Sequence, residues 1–219
     1  MLKMSACIGN LTGMRKWRRK YYDIFSSFYD WVIKAHSKDA RERLREFLIE
    51  KAELTSGMRV LDLCTGTGSV AVKVKELYPD LSVFGLDFSM GMLRKAKSKR
   101  GDVFWVLGSA AGMPFKDEVF DVVFCSHAFY ELKGKEKYWA LGEVKRVLKK
   151  GGRFLLMEHE VPKNGFIRFL YYVRILSMGF GDGLDFVKRE LDVLRLFFPY
   201  VTRLSSPTGK SKLIIGEKR

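Results

Sequence analysis

The chain of 219 residues is 47% hydrophobic, which is enough apolar material for one complete core. Its 40 Lys and Arg residues exceed its 25 Asp and Glu residues, and the net charge of +15 favours nucleic acid, phospholipid head groups or acidic metabolites as partners. An ordinary charged surface explains that charge equally well. Three cysteines exclude a disulfide framework, and the sequence shows neither a signal peptide nor an uninterrupted apolar run of about 20 residues, so we expect a cytoplasmic protein.

An aromatic segment precedes the predicted core. Residues 15–20 are mostly basic, and aromatic side chains recur through residues 21–31. We interpret residues 1–36 as an N-terminal helical cap, which either packs across the edge of a sheet or closes as a lid. As a lid, the cap would bring Tyr29 over a bound ligand.

Short apolar segments alternate with helical patterns along the following 120 or so residues. Asp39 with Glu42 three residues later marks a helix start before the first strand. The patterns predict strands at 58–63, 82–86, 103–107, 120–125 and 152–158, and helices at 67–78, 89–100 and 134–149. Such alternation predicts parallel strands joined by right-handed crossovers, and we place this core at residues 37–160.

The pattern changes after the fifth strand. Residues 161–199 predict a helical insertion, with one helix near 164–178 and a second whose apolar stripe we interpret as core packing. Residues 200–219 predict a terminal hairpin around Pro207 and Gly209. All these parts are expected to form one domain over residues 1–219.

A glycine-containing turn follows the first strand. Asp62 lies near the end of that strand, Gly66 and Gly68 follow it, and Asp87 ends the second strand. Parallel sheets bind ligands at the carboxyl ends of their strands, and an acid about 20 residues after such a turn accepts hydrogen bonds from ribose hydroxyls. The full G-x-G-x-x-G pattern of a pyrophosphate clamp is not present. The spacing therefore indicates an adenosine cofactor other than a dinucleotide.

The turn also carries a family resemblance. The stretch from Asp62 to Gly68 resembles the first motif of class I S-adenosylmethionine-dependent methyltransferases. Four further segments agree with that family in order and spacing, at residues 84–93, 108–115, 120–127 and 144–156. Within the family, the chain is similar to the methyltransferases of ubiquinone and menaquinone biosynthesis.

The resemblance implies a Rossmann-like, doubly wound α/β fold, with seven mostly parallel strands, a C-terminal antiparallel hairpin and the N-terminal helical cap. It also implies S-adenosyl-L-methionine as the cofactor and S-adenosyl-L-homocysteine as its product. The implied cofactor contacts are Asp62, Cys64, Thr65, Gly66, Thr67, Gly68, Asp87, Phe88, Met92, Ser109, Ala110, Ser126 and, from the cap, Tyr29.

Two positions depart from the family pattern. Cys64 replaces the first glycine of the turn, so we expect its backbone to avoid positive φ values. Ser109 replaces the Asp that contacts the adenine amino group, and its hydroxyl can accept the same bond without a charge. Cys64 and Cys125 end neighbouring strands, where we favour two small space-filling residues over a redox-sensitive pair.

His127 is the candidate catalytic base. It follows the fourth strand, and the ordinary pKa of an imidazole lies near neutrality. Contact with the cofactor or with the wall of the cleft is the alternative role for this residue. Tyr130 and Glu131 could shape an acceptor pocket, with His159 and Glu160 at its rim. Three histidines and no tight carboxylate cluster give no support to a metal site.

The aromatic cap and the apolar residues 166–180 favour a small apolar or lipid-like methyl acceptor, such as a quinone precursor. Basic residues then suggest peripheral contact with an anionic membrane. Two alternatives remain at this point: an RNA methyltransferase, suggested by basic clusters at 15–20, 94–100 and 145–153, and a non-catalytic cofactor-binding regulator. The sequence does not indicate an oligomeric state.

Overall fold

The computed structural model describes residues 38–132, 134–161, 165–166, 168–169 and 181–219. The predicted cap, with Tyr29, and most of the predicted helix at 164–178 lie outside these residues. No helix in the described part of the chain combines the length and the apolar character that crossing a bilayer requires.

Helices and strands alternate as predicted through the core. The helices are α1 (Lys38–Glu50), α2 (Ser69–Leu77), α3 (Met90–Lys99), α4 (Glu136–Val147) and α5 (Gly181–Arg195), with a short 3₁₀ turn at Phe129–Glu131. The strands are β1 (Arg59–Leu63), β2 (Ser82–Asp87), β3 (Phe104–Leu107), β4 (Phe120–Ser126), β5 (Leu148–His159), β6 (Tyr200–Ser205) and β7 (Ser211–Glu217).

All seven strands form one sheet in the order β3-β2-β1-β4-β5-β7-β6. The strands from β3 to β5 are parallel, and β7 pairs antiparallel with both β5 and β6. This arrangement confirms the predicted seven-stranded, mostly parallel sheet with a C-terminal antiparallel hairpin. Strands β1 to β3 are added towards one edge of the sheet, and β4 and β5 are added towards the other, so the strand order reverses between β1 and β4. Doubly wound sheets bind their ligands in the crevice at such a point.

Apolar side chains from the strands pack against helices on both faces of the sheet. One core cluster contains Leu48 of α1, Val74 of α2 and Val60 of β1, and the other contains Leu141 of α4, Leu194 of α5 and Leu61 of β1. Neighbouring residues of β1 therefore point into opposite cores, as the pleat requires. The stripe predicted along α5 is core packing, because Leu194 and Phe198 are fully buried.

Candidate functional site

The turn after β1 has an unexpected backbone conformation. Cys64 has φ 55°, in the left-handed region, so the expectation that it avoids positive φ is wrong. The conformation is fixed from both sides, because the Thr65 N–H donates to the Leu86 carbonyl at 3.0 Å and the Gly68 N–H donates to the Thr65 carbonyl at 2.9 Å. Such bonds hold a strained residue in place, and strain of this kind is concentrated at functional sites.

Asp62 organises the inside of the turn. Its Oδ2 atom accepts hydrogen bonds from the Thr65 hydroxyl and, at 3.1 Å, from the Ala71 N–H at the start of α2. Burial raises the pKa of Asp62 to about 7, although these two hydrogen bonds oppose the rise. No Lys or Arg in the described residues forms an ion pair with Asp62. A buried carboxyl of this kind is suited to a cationic ligand.

Asp87 joins the tips of β1 and β2. Its Oδ2 accepts from the Gly66 N–H at 2.9 Å, and its Oδ1 accepts from the Ser89 N–H at 2.8 Å. Ser89 in turn caps α3, because its hydroxyl accepts from the Met92 N–H at 3.2 Å. The carboxylate is thus held at the carboxyl edge of the sheet, where the sequence predicted a ribose-binding acid.

The two glycines of the turn have different surroundings. A Cβ atom added to Gly66 would meet nothing within 4 Å, so a ligand can approach the backbone there. At Gly68 and at Gly85 of β2, an added Cβ would come within 2.5 Å of the Trp105 ring. Trp105 is itself fixed, since its Nε1–H donates to the Arg100 carbonyl at 3.0 Å. Gly68 and Gly85 therefore leave room for an indole beneath the turn.

Four further predicted cofactor contacts, Phe88, Met92, Ser109 and Ala110, lie around the tips of β2 and β3. Phe88 is half-buried after β2, Met92 is buried on α3, and Ala110 is buried after β3. The Ser109 hydroxyl accepts from the Ala111 N–H at 3.2 Å, which orients the side chain within a tight turn. The Lys99 ammonium donates to the Thr67 carbonyl at 3.1 Å and so ties α3 to the glycine turn.

Cys64 and Cys125 are both free cysteines and lie in contact across β1 and β4. A hydrogen bond with the Cys64 side chain and burial together raise the pKa of the Cys125 thiol well above its usual range. The Cys125 thiol therefore stays protonated at neutral pH and fills space beside the turn.

His127 lies on the other side of the switch point. Its φ of 54° turns the side chain towards β5 and β7. Its Nδ1 lies 3.0 Å from the Ser126 hydroxyl, and its Nε2 lies 3.1 Å from the hydroxyl of Ser211 on β7. The ring of His159 is 4.5 Å away, centroid to centroid. The structure thus groups His127 with His159 and the two serines at the carboxyl edge, beside the cofactor turn.

Sequence reasoning missed several residues around this edge. Ser211 begins the last strand, and only the antiparallel register of β7 against β5 brings it opposite His159. Lys212, Glu190 and Trp105 were missed for the same reason, because their partners are distant in the chain. The acidic residue after the Leu-Leu-Met run of β5, Glu158, was a usable signal, since a lone acid in an apolar strand demands a partner.

Comparison with known proteins gives a consistent result. Residues 60–152 match the family model described as a methyltransferase domain. The chain is 36% identical to a demethylmenaquinone methyltransferase of Thermus thermophilus over 149 residues, covering 66% of this chain and 67% of that protein. It is 31% identical to a ubiquinone/menaquinone biosynthesis C-methyltransferase of Desulfotalea psychrophila over 166 residues, covering 73% and 67% of the two chains.

Solved structures agree at the level of the fold. A TehB-like SAM-dependent methyltransferase from Corynebacterium glutamicum superposes with a TM-score of 0.65 at 15% identity, covering 91% of this chain and 99% of that one. The open space over Gly66, the buried Asp62 and the edge carboxylate of Asp87 all fit such a cofactor. The chain belongs to the S-adenosylmethionine-dependent methyltransferases, in the group that contains the quinone-biosynthesis enzymes.

Proposed function

We propose that this methyltransferase acts on a small, apolar aromatic acceptor of the hydroquinone type. The observation that carries the proposal is the similarity to quinone-biosynthesis methyltransferases over about two thirds of their length. The position of His127 and His159 beside the cofactor turn supports it, because a hydroquinone must lose a phenolic proton before its ring carbon becomes a strong nucleophile.

We assign cofactor binding to the residues that the sequence predicted as cofactor contacts. Asp62 would face the cationic part of the cofactor, Asp87 its ribose, and Gly66 its closest backbone contact. The remaining proposed contacts are Cys64, Thr65, Thr67, Gly68, Phe88, Met92, Ser109, Ala110, Ser126 and Tyr29. When bound, the cofactor supplies a methyl group on a cationic sulfur, which becomes a neutral thioether as the methyl group leaves.

His127 would act as the base. A neutral imidazole accepts at one ring nitrogen and donates at the other, so one of its two serine hydroxyls donates to it and the other accepts from it. The donating serine can take the phenolic proton while passing its own proton to the ring. Loss of the phenolic proton would raise the electron density on the ring carbon that would receive the methyl group, and that carbon would release its own hydrogen as a proton to solvent as the aromatic ring is restored. Holding the acceptor close to the methyl donor would supply much of the rate.

The experiment is a transfer assay with methyl-labelled S-adenosylmethionine. Purified protein is incubated with chemically reduced 2-prenyl-1,4-naphthoquinone, or with total RNA, and label is counted in the organic and aqueous phases. We expect label in the organic phase, and a loss of about 10²-fold or more in the His127→Gln variant, as removal of a general base predicts. Label in RNA alone would refute the proposal.

The RNA alternative has little support from the described residues. The basic cluster at 94–100 lies on α3, while the one at 145–153 lies at the end of α4 and in β5. These two helices cover opposite faces of the sheet, because the crossovers from β2 to β3 and from β4 to β5 run in opposite directions. They therefore do not form one continuous nucleic-acid surface.

We also propose peripheral contact with an anionic membrane. The charge of +15 attracts such a surface, and Phe166 and Phe169 expose 70% and 62% of their surface. Exposed aromatic side chains next to basic residues are typical of interfacial segments. In this proposal the enzyme is cytoplasmic and meets its acceptor at the membrane.

A further inference from the structure

Glu158 is a buried carboxyl that the proposed chemistry does not use. It lies near the carboxyl end of β5 and is 4% exposed. Its Oε1 atom accepts two backbone hydrogen bonds, from the Phe129 N–H at 2.9 Å and from the Tyr130 N–H at 3.3 Å. Both donors belong to the 3₁₀ turn Phe129–Glu131, which begins two residues after His127.

The same carboxyl faces a buried ion pair. Lys212 stands opposite Glu158 in the register of β5 and β7, and its ammonium lies 2.5 Å from a carboxylate oxygen of Glu190 on α5. Lys212 and Glu190 are 2% and 6% exposed. Buried polar groups therefore lie on α5, β7 and β5, and Lys212 acts on Glu158 through its charge.

We infer that Glu158 is the positioning residue of the acceptor side, because it fixes the Phe129–Glu131 turn and thereby the placement of His127 and Tyr130. The inference rests on the proposed function for its effect on methyl transfer. The claim that Glu158 fixes the turn depends only on its two hydrogen bonds.

The pattern of hydrogen bonds indicates which form of Glu158 performs this role. Both N–H groups reach Oε1, which leaves Oε2 to carry a proton. Burial raises the pKa of Glu158 to about 8, while the two N–H groups and Lys212 oppose the rise and Glu190 adds to it. Cys125, buried on β4, also lies within electrostatic range. At pH 7 the side chain is thus a neutral acid, which an amide can replace.

The turn is anchored from its other side by Phe129. This fully buried ring lies 5.6 Å from Phe186 of α5 and 6.2 Å from Phe154 of β5, centroid to centroid. Packing holds the side chain of the turn, and Glu158 holds its backbone. Without Glu158, the buried N–H of Phe129 and the partly buried N–H of Tyr130 lose this acceptor, and the turn must open to find water.

The test compares Glu158→Gln with Glu158→Ala. Glutamine keeps a carbonyl oxygen for both N–H groups, whereas alanine removes it. We expect amide hydrogen exchange in peptides covering residues 127–132 to be about tenfold faster or more in Glu158→Ala, and unchanged in Glu158→Gln, while peptides covering residues 60–70 stay protected in both. Equal exchange in wild type and Glu158→Ala, or equally fast exchange in both variants, would overturn the inference.

A rate measurement then separates positioning from general stability. With reduced 2-prenyl-1,4-naphthoquinone as the acceptor, we expect kcat of Glu158→Ala to fall about 10- to 100-fold, as for a misplacement of about 1 Å, with the cofactor Kd within twofold of wild type. Glu158→Gln should restore kcat. An unchanged kcat beside faster exchange would refute the positioning role.

Asp121→Ala is the matched control. Asp121 also accepts a backbone bond, from the Arg59 N–H at 2.8 Å, but it lies at the opposite edge of the sheet. The Asp121→Ala variant should have a lower free energy of unfolding, whereas its amide hydrogen exchange at residues 127–132 and its kcat should match those of wild type. If wild type fails to methylate this acceptor, the proposed acceptor class fails, and the exchange experiment still decides whether Glu158 holds the turn.

Discussion

Two residues other than glycine have left-handed backbones where neighbouring strands end. Cys64 follows β1 and His127 follows β4, and each conformation costs about 1 to 3 kcal/mol. Each turn directs a side chain away from its own strand, Cys64 towards Cys125 and His127 towards Ser211. The sequence predicted that both residues belong to the site. It did not predict the left-handed conformation of either residue, because each conformation depends in part on a hydrogen bond to another strand, Thr65 to Leu86 and His127 to Met157.

The titration of Asp62 predicts a pH-dependent cofactor affinity. In the free protein its pKa is about 7 because of burial, so at pH 6 most of the carboxyl is protonated. A cationic ligand binds the ionised form better, and affinity for S-adenosylmethionine should therefore rise as pH increases from 6 to 8. Calorimetric titration at several pH values measures this rise.

The Asp62→Asn variant should bind more weakly and show no such rise, whereas Asp80→Asn, at an exposed carboxylate, should behave as wild type. The contribution of Asp62 to folding stability changes with pH in the opposite direction. Since the folded pKa is raised above the unfolded value of about 4, the contribution of Asp62 to stability is full below pH 4 and is lost as pH rises to 7. Affinity that is independent of pH in wild type would exclude Asp62 from the cofactor site.

Asp87 should contribute to cofactor affinity through charged hydrogen bonds. Replacing it with alanine should weaken binding by about 1.5 to 3 kcal/mol, or roughly 10- to 150-fold. The Asp87→Asn variant should lose less affinity for the cofactor, since its amide oxygen can still accept a hydrogen bond from Gly66 or Ser89. Equilibrium dialysis with labelled S-adenosylhomocysteine measures the affinity. Equal binding by wild type and Asp87→Ala would remove this residue from the site.

At the scale of the element, the strands were predicted to within a few residues because each is a short apolar run bounded by turn residues. The largest difference is β5, which begins at Leu148, four residues before the predicted Gly152. Lys149, Lys150 and Gly151 broke the apolar pattern there. The extension exists because Leu148 pairs with Phe120 across an irregularity in the register, which no local pattern reveals.

Trp105 packs against two glycines, so adding one methyl group to either glycine should lower the stability of the protein. Gly85→Ala would place a Cβ 2.5 Å from the indole ring, and overpacking of this kind costs about 1 to 3 kcal/mol. Gly101→Ala is the control, because a Cβ there meets nothing within 4 Å. Urea unfolding midpoints should fall for the first variant alone. A stable Gly85→Ala protein would mean that the ring moves freely.

The buried pair of Lys212 and Glu190 predicts strong non-additivity. Lys212→Met alone leaves the buried carboxylate of Glu190 without its cation, and breaking a buried pair costs about 3 to 5 kcal/mol. The double variant Lys212→Met, Glu190→Leu removes both charges and should recover most of that loss. Denaturant unfolding of the single and double variants completes the cycle. Additive losses would contradict a direct ion pair.

At the scale of the whole molecule, the seven-stranded, mostly parallel sheet with its C-terminal antiparallel hairpin was predicted through the family resemblance. Most of the predicted cofactor contacts come from motifs within residues 62–110, which are close in sequence; Tyr29 and Ser126 lie outside that range. The acceptor side could not be predicted in this way. The residues proposed for it come from β4, β5 and β7, and their contacts depend on the antiparallel pairing of β7 with β5.

The net charge of the molecule predicts how it meets a membrane. Association with vesicles containing phosphatidylglycerol should be measurable at 50 mM salt and should weaken strongly by 300 mM, because screening shortens the reach of surface charges. Phosphatidylcholine vesicles serve as the neutral control, and co-sedimentation measures the bound fraction. Replacing Phe166 and Phe169 with serine should reduce binding further. Equal binding to both lipids would contradict an electrostatic contact.

The position of β7 has a consequence for the newly made chain. This strand comes last in the order of the sequence, yet it lies between β5 and β6 in the sheet. During synthesis, the cofactor turn can form once β1, β2 and β3 have emerged, whereas His127 and Glu158 must wait for Ser211 and Lys212. Under the proposed roles, the turn that would hold the methyl donor is therefore complete in the growing chain before the contacts of the proposed base.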